Sequence, residues 1–130
     1  MADPNLQAST TGVEAVAAEL AITRFGGLSR EIRGCAILGP EGVLAASGDA
    51  ERWREPAAAL LRAADHAAGG TASHAHVATE DGEVYAVRLS RLAMVAVTDR
   101  FTLSSLVLAD MRAALRDLVR GAVTRIEAAA

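Results

Sequence analysis

The segment HAHVATEDGEVYAVRLSRLAMVAVT, residues 74–98, constrains the fold more than any other part of the chain. Apolar and polar residues alternate around Asp81-Gly82, a dipeptide favoured in two-residue hairpin turns, so strands are predicted over 74–80 and 83–90. Tyr85, Val87 and Leu89 then share one face of the second strand, and Arg88 and Ser90 share the other. After a tight Ser90-Arg91 link, residues 92–98 are apolar at nearly every position. That is the pattern of a strand covered on both faces, at the centre of a sheet.

The cover has to come from helices. Val13, Val16, Ala17, Leu20 and Ala21 fall at i, i+3, i+4, i+7 and i+8, and Leu28 returns to the same face, which predicts a first helix over about 12–31. Gly26-Gly27 is its weak point, at about 1 kcal/mol per glycine relative to alanine, and a bend is expected there. Trp53, Ala57, Leu60, Leu61, Ala64 and Ala68 define a second helical stripe, which should begin close before Pro56 and stop at Gly69-Gly70. Val107, Leu108, Met111, Leu115, Leu118 and Ala122 define a third, opposite Arg112, Arg116 and Arg120, from about 103 to past Arg120, with Asp99 or Thr102 in its N-cap region. Between the first two helices, apolar runs over 34–39 and 43–47 flank Pro40-Glu41-Gly42 and read as another hairpin. The order is helix, two strands, helix, three strands, helix. It implies an α+β fold with an antiparallel sheet of about five strands and helices on both faces. A chain of 130 residues suits one such domain. The domain is expected over 12–122, after a polar flexible tail over 1–11 and before a helix end or frayed tail over 123–130.

The candidate chemistry is sparse. Pro40 removes a backbone donor from the Gly39–Gly42 turn, so that loop is no phosphate cradle, and it matches neither a P-loop nor G-x-G-x-x-G. His74 and His76 share a strand face with His66 upstream, but no carboxylate or thiol stands at a third-ligand spacing, so structural histidines are expected and no metal site. Cys35, the only cysteine, lies in an apolar run and is expected to be a buried, inert thiol. It leaves no internal disulfide and points to a cytoplasmic protein. Asp65 and His66 are helix neighbours that diverge by about 100° and cannot readily form a dyad. No serine has a hydrolase context. All thirteen basic residues are arginine, which removes lysine chemistry. A net charge of −3 and only four aromatic residues argue against nucleic acid. No apolar run approaches the roughly twenty residues of a membrane span, and the polar N-terminus does not read as a signal peptide. No catalytic residue and no cofactor are therefore expected.

The phrase EIRGCAILGPEGVLAASG, residues 31–48, set in this order of elements, resembles the roadblock/LC7 family. There a helix ending near EIPGV leads into a hairpin written roughly GALVVDRDGLVVAS. Ile32-Arg33-Gly34-Cys35 stand where the family has Ile-Pro-Gly-Val, and AVTDRFTLSSLVLADMRAALRDL, residues 96–118, is similar to its last strand and helix. The resemblance covers about residues 12–121 and departs from the family at Arg33 and at Gly26-Gly27. It implies a roadblock/profilin-like fold and a homodimer that joins two sheets through the third strand and packs the second helices together. It also implies a non-enzymatic partner of small Ras-like GTPases, as regulator or scaffold. Dimer contacts then fall to Leu60, Leu61 and Ala64 on the second helix and to Ala75, Val77 and Thr79 on the third strand. GTPase contacts fall to Trp53, Arg54 and Arg62, although Trp53 lies on the apolar stripe and core packing is an equal reading of it.

Two other classes share the layout. A small-molecule sensor of the PAS or profilin-like kind would need a largely apolar pocket of roughly 300–1,000 Å³. An enzyme built on His66, His74 and His76 would need those side chains to converge.

Overall fold

The computed structural model describes residues 15–129, with side chains described as far as Ala122. The tail expected over 1–11, the start of the first helix near Gly12, and Val13 lie outside the described residues. The elements are α1 (Ala15–Gly26), β1 (Ile32–Gly39), β2 (Gly42–Ala46), α2 (Glu51–Ala68), β3 (His74–Ala78), β4 (Glu83–Leu89), β5 (Leu92–Thr98) and α3 (Ser104–Ala129). The five strands form one sheet in the order β2-β1-β5-β4-β3, antiparallel throughout. The apolar run 92–98 is indeed the central strand. Its alternate residues serve opposite layers: Leu92, Met94 and Ala96 face α1 and α3, whereas Ala93 and Val95 face α2.

The two layers are unequal. Fifteen described residues are buried on the α1/α3 side, among them Ile22, Phe25, Met111 and Leu115 over Ile37, Tyr85 and Met94. Only six are buried on the α2 side, and Ala57 is the one fully buried residue of α2 itself. At about 25 cal/mol per Å² of apolar area, the first layer supplies most of the hydrophobic stabilisation and leaves α2 with less apolar contact.

Three features differ from expectation. The first helix stops at Gly26 instead of running to 31: the Gly27 N–H still reaches the Thr23 carbonyl, the Leu28 N–H turns back to Phe25, and Leu28 swings out, 61% exposed. Two successive glycines lower helix propensity enough to end the element rather than bend it. The second helix begins at Glu51, whose N–H is capped by the Asp49 carboxylate at 3.0 Å, so Pro56 sits inside it on an exposed face. Its end is as expected: Gly69 at φ 71° places its N–H and that of Gly70 on the His66 and Asp65 carbonyls.

The third difference is one of register. The β3–β4 turn is Glu80-Asp81, closed by the Thr79–Gly82 pair, not Asp81-Gly82; Thr79 donates from its N–H and its hydroxyl to the Gly82 carbonyl at 2.8 and 2.7 Å. Gly82 is needed for proximity instead, since a Cβ there would stand 2.3 Å from the Thr98 carbonyl oxygen. As a result His76 faces Tyr85, and Ala78 faces Glu83.

Candidate interaction surface

Among the described residues β3 is the outermost strand and bonds to β4 alone, so the backbone donors and acceptors of its other side face no described strand and offer an edge for a further one. Nothing in its sequence blunts that edge. It holds no proline, lysine, arginine or carboxylate, its register with β4 is regular over five pairs, and Val77 is 43% exposed. Ala75 and Val77 point to the α2 side, because their partners Ala86 and Val84 pack in the α2 layer.

The α2 stripe lies beside this edge. Leu60 and Leu61 are half-buried against the sheet, and Leu61, Ala64 and Ala75 line one shallow crevice together with Ala86. Leu60, Leu61, Ala64, Ala75 and Val77 thus form one half-covered apolar band. Thr79 lies just beyond the strand, and its hydroxyl is engaged in the turn. Trp53 belongs to the packing: its Nε1–H donates to the Ser47 carbonyl at 3.0 Å and its ring lies against Gly34, where a Cβ would be 2.9 Å from Cζ2. Arg54 and Arg62 stand exposed on α2, near Glu51 at 3.8 Å and Glu55 at 3.0 Å. A groove of about 680 Å³ opens beside Arg54, Arg91 and Leu38, between the β1–β2 and β4–β5 turns.

Two polar anchors brace this side of the molecule, and sequence reading passed over both. Arg88 of β4 forks onto both oxygens of Asp65 and also donates to the Ala72 carbonyl, while the Ala72 N–H donates to Asp65 at 2.9 Å. The Arg88 hydrogen bond holds the Asp65 carboxyl below its ordinary pKa. The C-terminal end of α2 is thereby tied to the sheet. At the other end, Glu83 is buried and accepts from the Thr102 hydroxyl and N–H at 2.7 and 2.8 Å and meets His76 Nε2 at 2.8 Å. The two Thr102 hydrogen bonds lead in drawing its pKa down to about 2, with His76 adding to them. Only Asp65's failure to pair with His66 was legible, since its actual partner is 23 residues away.

The remaining candidates do not assemble. His74 Nδ1 contacts Ser73 Oγ at 3.2 Å and His76 turns to Glu83; among the described residues no three His, Cys, Asp or Glu side chains converge on a metal position. Cys35 is buried, and burial pushes its thiol pKa up to about 11, far from a reactive thiolate. No helix among the described residues is long and apolar enough to cross a membrane.

A single sheet of order β2-β1-β5-β4-β3, two helices on one face and one on the other, matches solved structures over most of the chain. A roadblock/LC7 domain from Streptomyces avermitilis superposes with a TM-score of 0.65, covering 82% of this chain and 97% of that one at 13% identity. The chain has the roadblock/LC7 fold. Myxococcus xanthus MglB gives a TM-score of 0.69 with 82% and 88% coverage at 14% identity. A structure of MglB in a tetrameric arrangement also gives 0.69, with 85% and 90% coverage at 15% identity. No protein-family model and no curated protein matches the sequence. At these identities it is the roadblock fold that is shared.

Proposed function

We propose that this chain is a non-enzymatic, cytoplasmic homodimeric regulator or scaffold that binds a small Ras-like GTPase. The observation that carries the reading is the unblunted outer edge of β3 beside the half-covered α2 band, on a roadblock fold. Pairing β3 with β3 of a second copy satisfies the free backbone groups and extends the sheet across two protomers. The same step brings Leu60, Leu61, Ala64 and Val77 of both copies together, which supplies the apolar cover that α2 lacks. That an MglB structure is described in a tetrameric arrangement supports self-association in this fold. The GTPase assignment follows from the family that the sequence resembles, with Arg54 and Arg62 exposed on α2 to meet it.

The test is binding of the purified chain to small Ras-like GTPases encoded in the same genome, each loaded with GDP or a non-hydrolysable GTP analogue. Retention of one such GTPase, weakened by Arg54→Glu or Arg62→Glu, is the expected result. Absence of binding to every one of them in both nucleotide states overturns the GTPase assignment.

A further inference from the structure

On the opposite face of the molecule, α1 and α3 leave an open groove of about 330 Å³ between them. Its floor combines the buried Phe25 and Leu118 with small side chains, Ala17 and Ala21 on α1 and Ala113 and Ala114 on α3. Beside this floor stands a ridge of large ones. Val16, Leu20 and Arg24 follow one another at i, i+4 and i+8 along α1, and Leu28, past the helix end, lines the same groove. Val16 is 73% exposed, Leu20 49% and Leu28 61%. The groove also carries both signs of charge, Arg24 from α1 and Asp110 and Asp117 from α3. Among the described residues none of these three has an ion pair, even though Asp110 is half-buried.

We infer that this groove is a self-association surface whose occupant is the α1 ridge of a second copy of the chain. A two-fold contact demands one patch that complements itself, and this one does so in both size and charge. Its large residues stand in a row that the small side chains between α1 and α3 can receive at the usual 8–10 Å helix separation, with i±4 ridges packing into grooves. Arg24, the one cation among the described lining residues, meets Asp110 and Asp117 of the second copy, and the reverse contact repeats the pairing. An acidic or a basic partner would satisfy one sign and leave the other unpaired beside an apolar contact, at an electrostatic cost. The surface is separate from the β3 edge, so the inference does not rest on the proposed GTPase role. Where both contacts form, dimers join into a larger assembly.

Charge exchange between two variants tests it. Arg24→Asp places like charges together at both contacts of a homotypic pair, and so does Asp117→Arg. An equimolar mixture of the two restores opposite charge at both. Sedimentation velocity from about 10 µM to about 1 mM should show a mass-doubling step in the wild type, its loss in each variant alone, and its return in the mixture. Leu20→Glu, at an exposed position, should abolish the step in every combination. Circular dichroism of each variant checks that the protomer is intact. Persistence of the step in both single variants, or failure of the mixture to recover it, overturns the inference. So does a step that appears only when a small GTPase is added. Occupation of the groove by residues 1–14 of the same chain predicts no recovery on mixing, and that outcome also overturns it.

Discussion

His76 lies flat on Tyr85, with ring centroids 4.3 Å apart and planes 5° from parallel. The stack exists because the β3–β4 register places the two residues directly opposite, and it aims His76 Nε2 at Glu83. Tyr85 in turn reaches Thr102 with its hydroxyl at 2.7 Å, and Thr102 holds Glu83. The edge strand, the sheet and the entry to α3 are thus joined through one buried carboxylate.

That carboxylate makes the hairpin acid-sensitive. The Glu83 pKa falls from 4.5 to about 2 on folding, so its contribution is present in full above the unfolded value and is lost as pH falls from about 4.5 towards 2. Thermal midpoints measured across that window should decline in the wild type. In Glu83→Gln they should start lower at neutral pH and decline less. Equal slopes in the two proteins would remove Glu83 as the responsible group.

Phe101 has φ 64° and is 85% exposed, so a bulky residue occupies the left-handed region with little packing in return. Left-handed backbone costs an L-residue roughly 1–2 kcal/mol, which glycine avoids. Phe101→Gly should therefore be more stable than Phe101→Ala by about 1 kcal/mol, the reverse of the usual ranking, in urea unfolding. A more stable alanine variant would show that the turn relaxes.

Gly82 and Gly70 form a matched pair. A Cβ at Gly82 would stand 2.3 Å from a backbone oxygen, whereas one at Gly70 meets nothing within 4 Å. Gly82→Ala should cost about 1–3 kcal/mol as an overpacking change, and Gly70→Ala less than about 0.5 kcal/mol. Similar losses in denaturant would contradict the close approach of the turn to β5.

The two helical layers should respond differently to truncation. Leu115 is fully buried over the sheet, so Leu115→Ala should cost about 2–5 kcal/mol. Leu60 and Leu61 are half-buried in the protomer, and their alanine variants should lose less in unfolding while weakening self-association.

The sequence and the structure meet wherever a local pattern carried the information. Residues 92–98 read as a strand covered on both faces because every position up to Val97 is apolar, and Gly69-Gly70 read as a stop because glycine takes positive φ. What stayed illegible depended on distant partners. Gly82 looked like a turn residue, yet its lack of a Cβ serves the Thr98 carbonyl 16 residues away; the turn moved back by one position and took β3 with it. Glu83 looked like an ordinary strand-end acid until the fold brought Thr102 to it. Gly26-Gly27 was legible as weakness, and with Leu28 exposed beyond them no packing carries the helix past the two glycines. Within the α2 and β3 band the apolar stripe was readable, whereas the inward anchoring of Trp53 required the Ser47 carbonyl to be in place.

The central claim is that the free β3 edge and the α2 band join two copies of the chain. Light scattering coupled to size exclusion at about 10 µM measures it directly. A mass of at least twice the 13.4 kDa of one chain, halved by Val77→Lys with circular dichroism unchanged, is the expected result. A 13.4 kDa species for the wild type, or a larger one that Val77→Lys leaves intact, would contradict it.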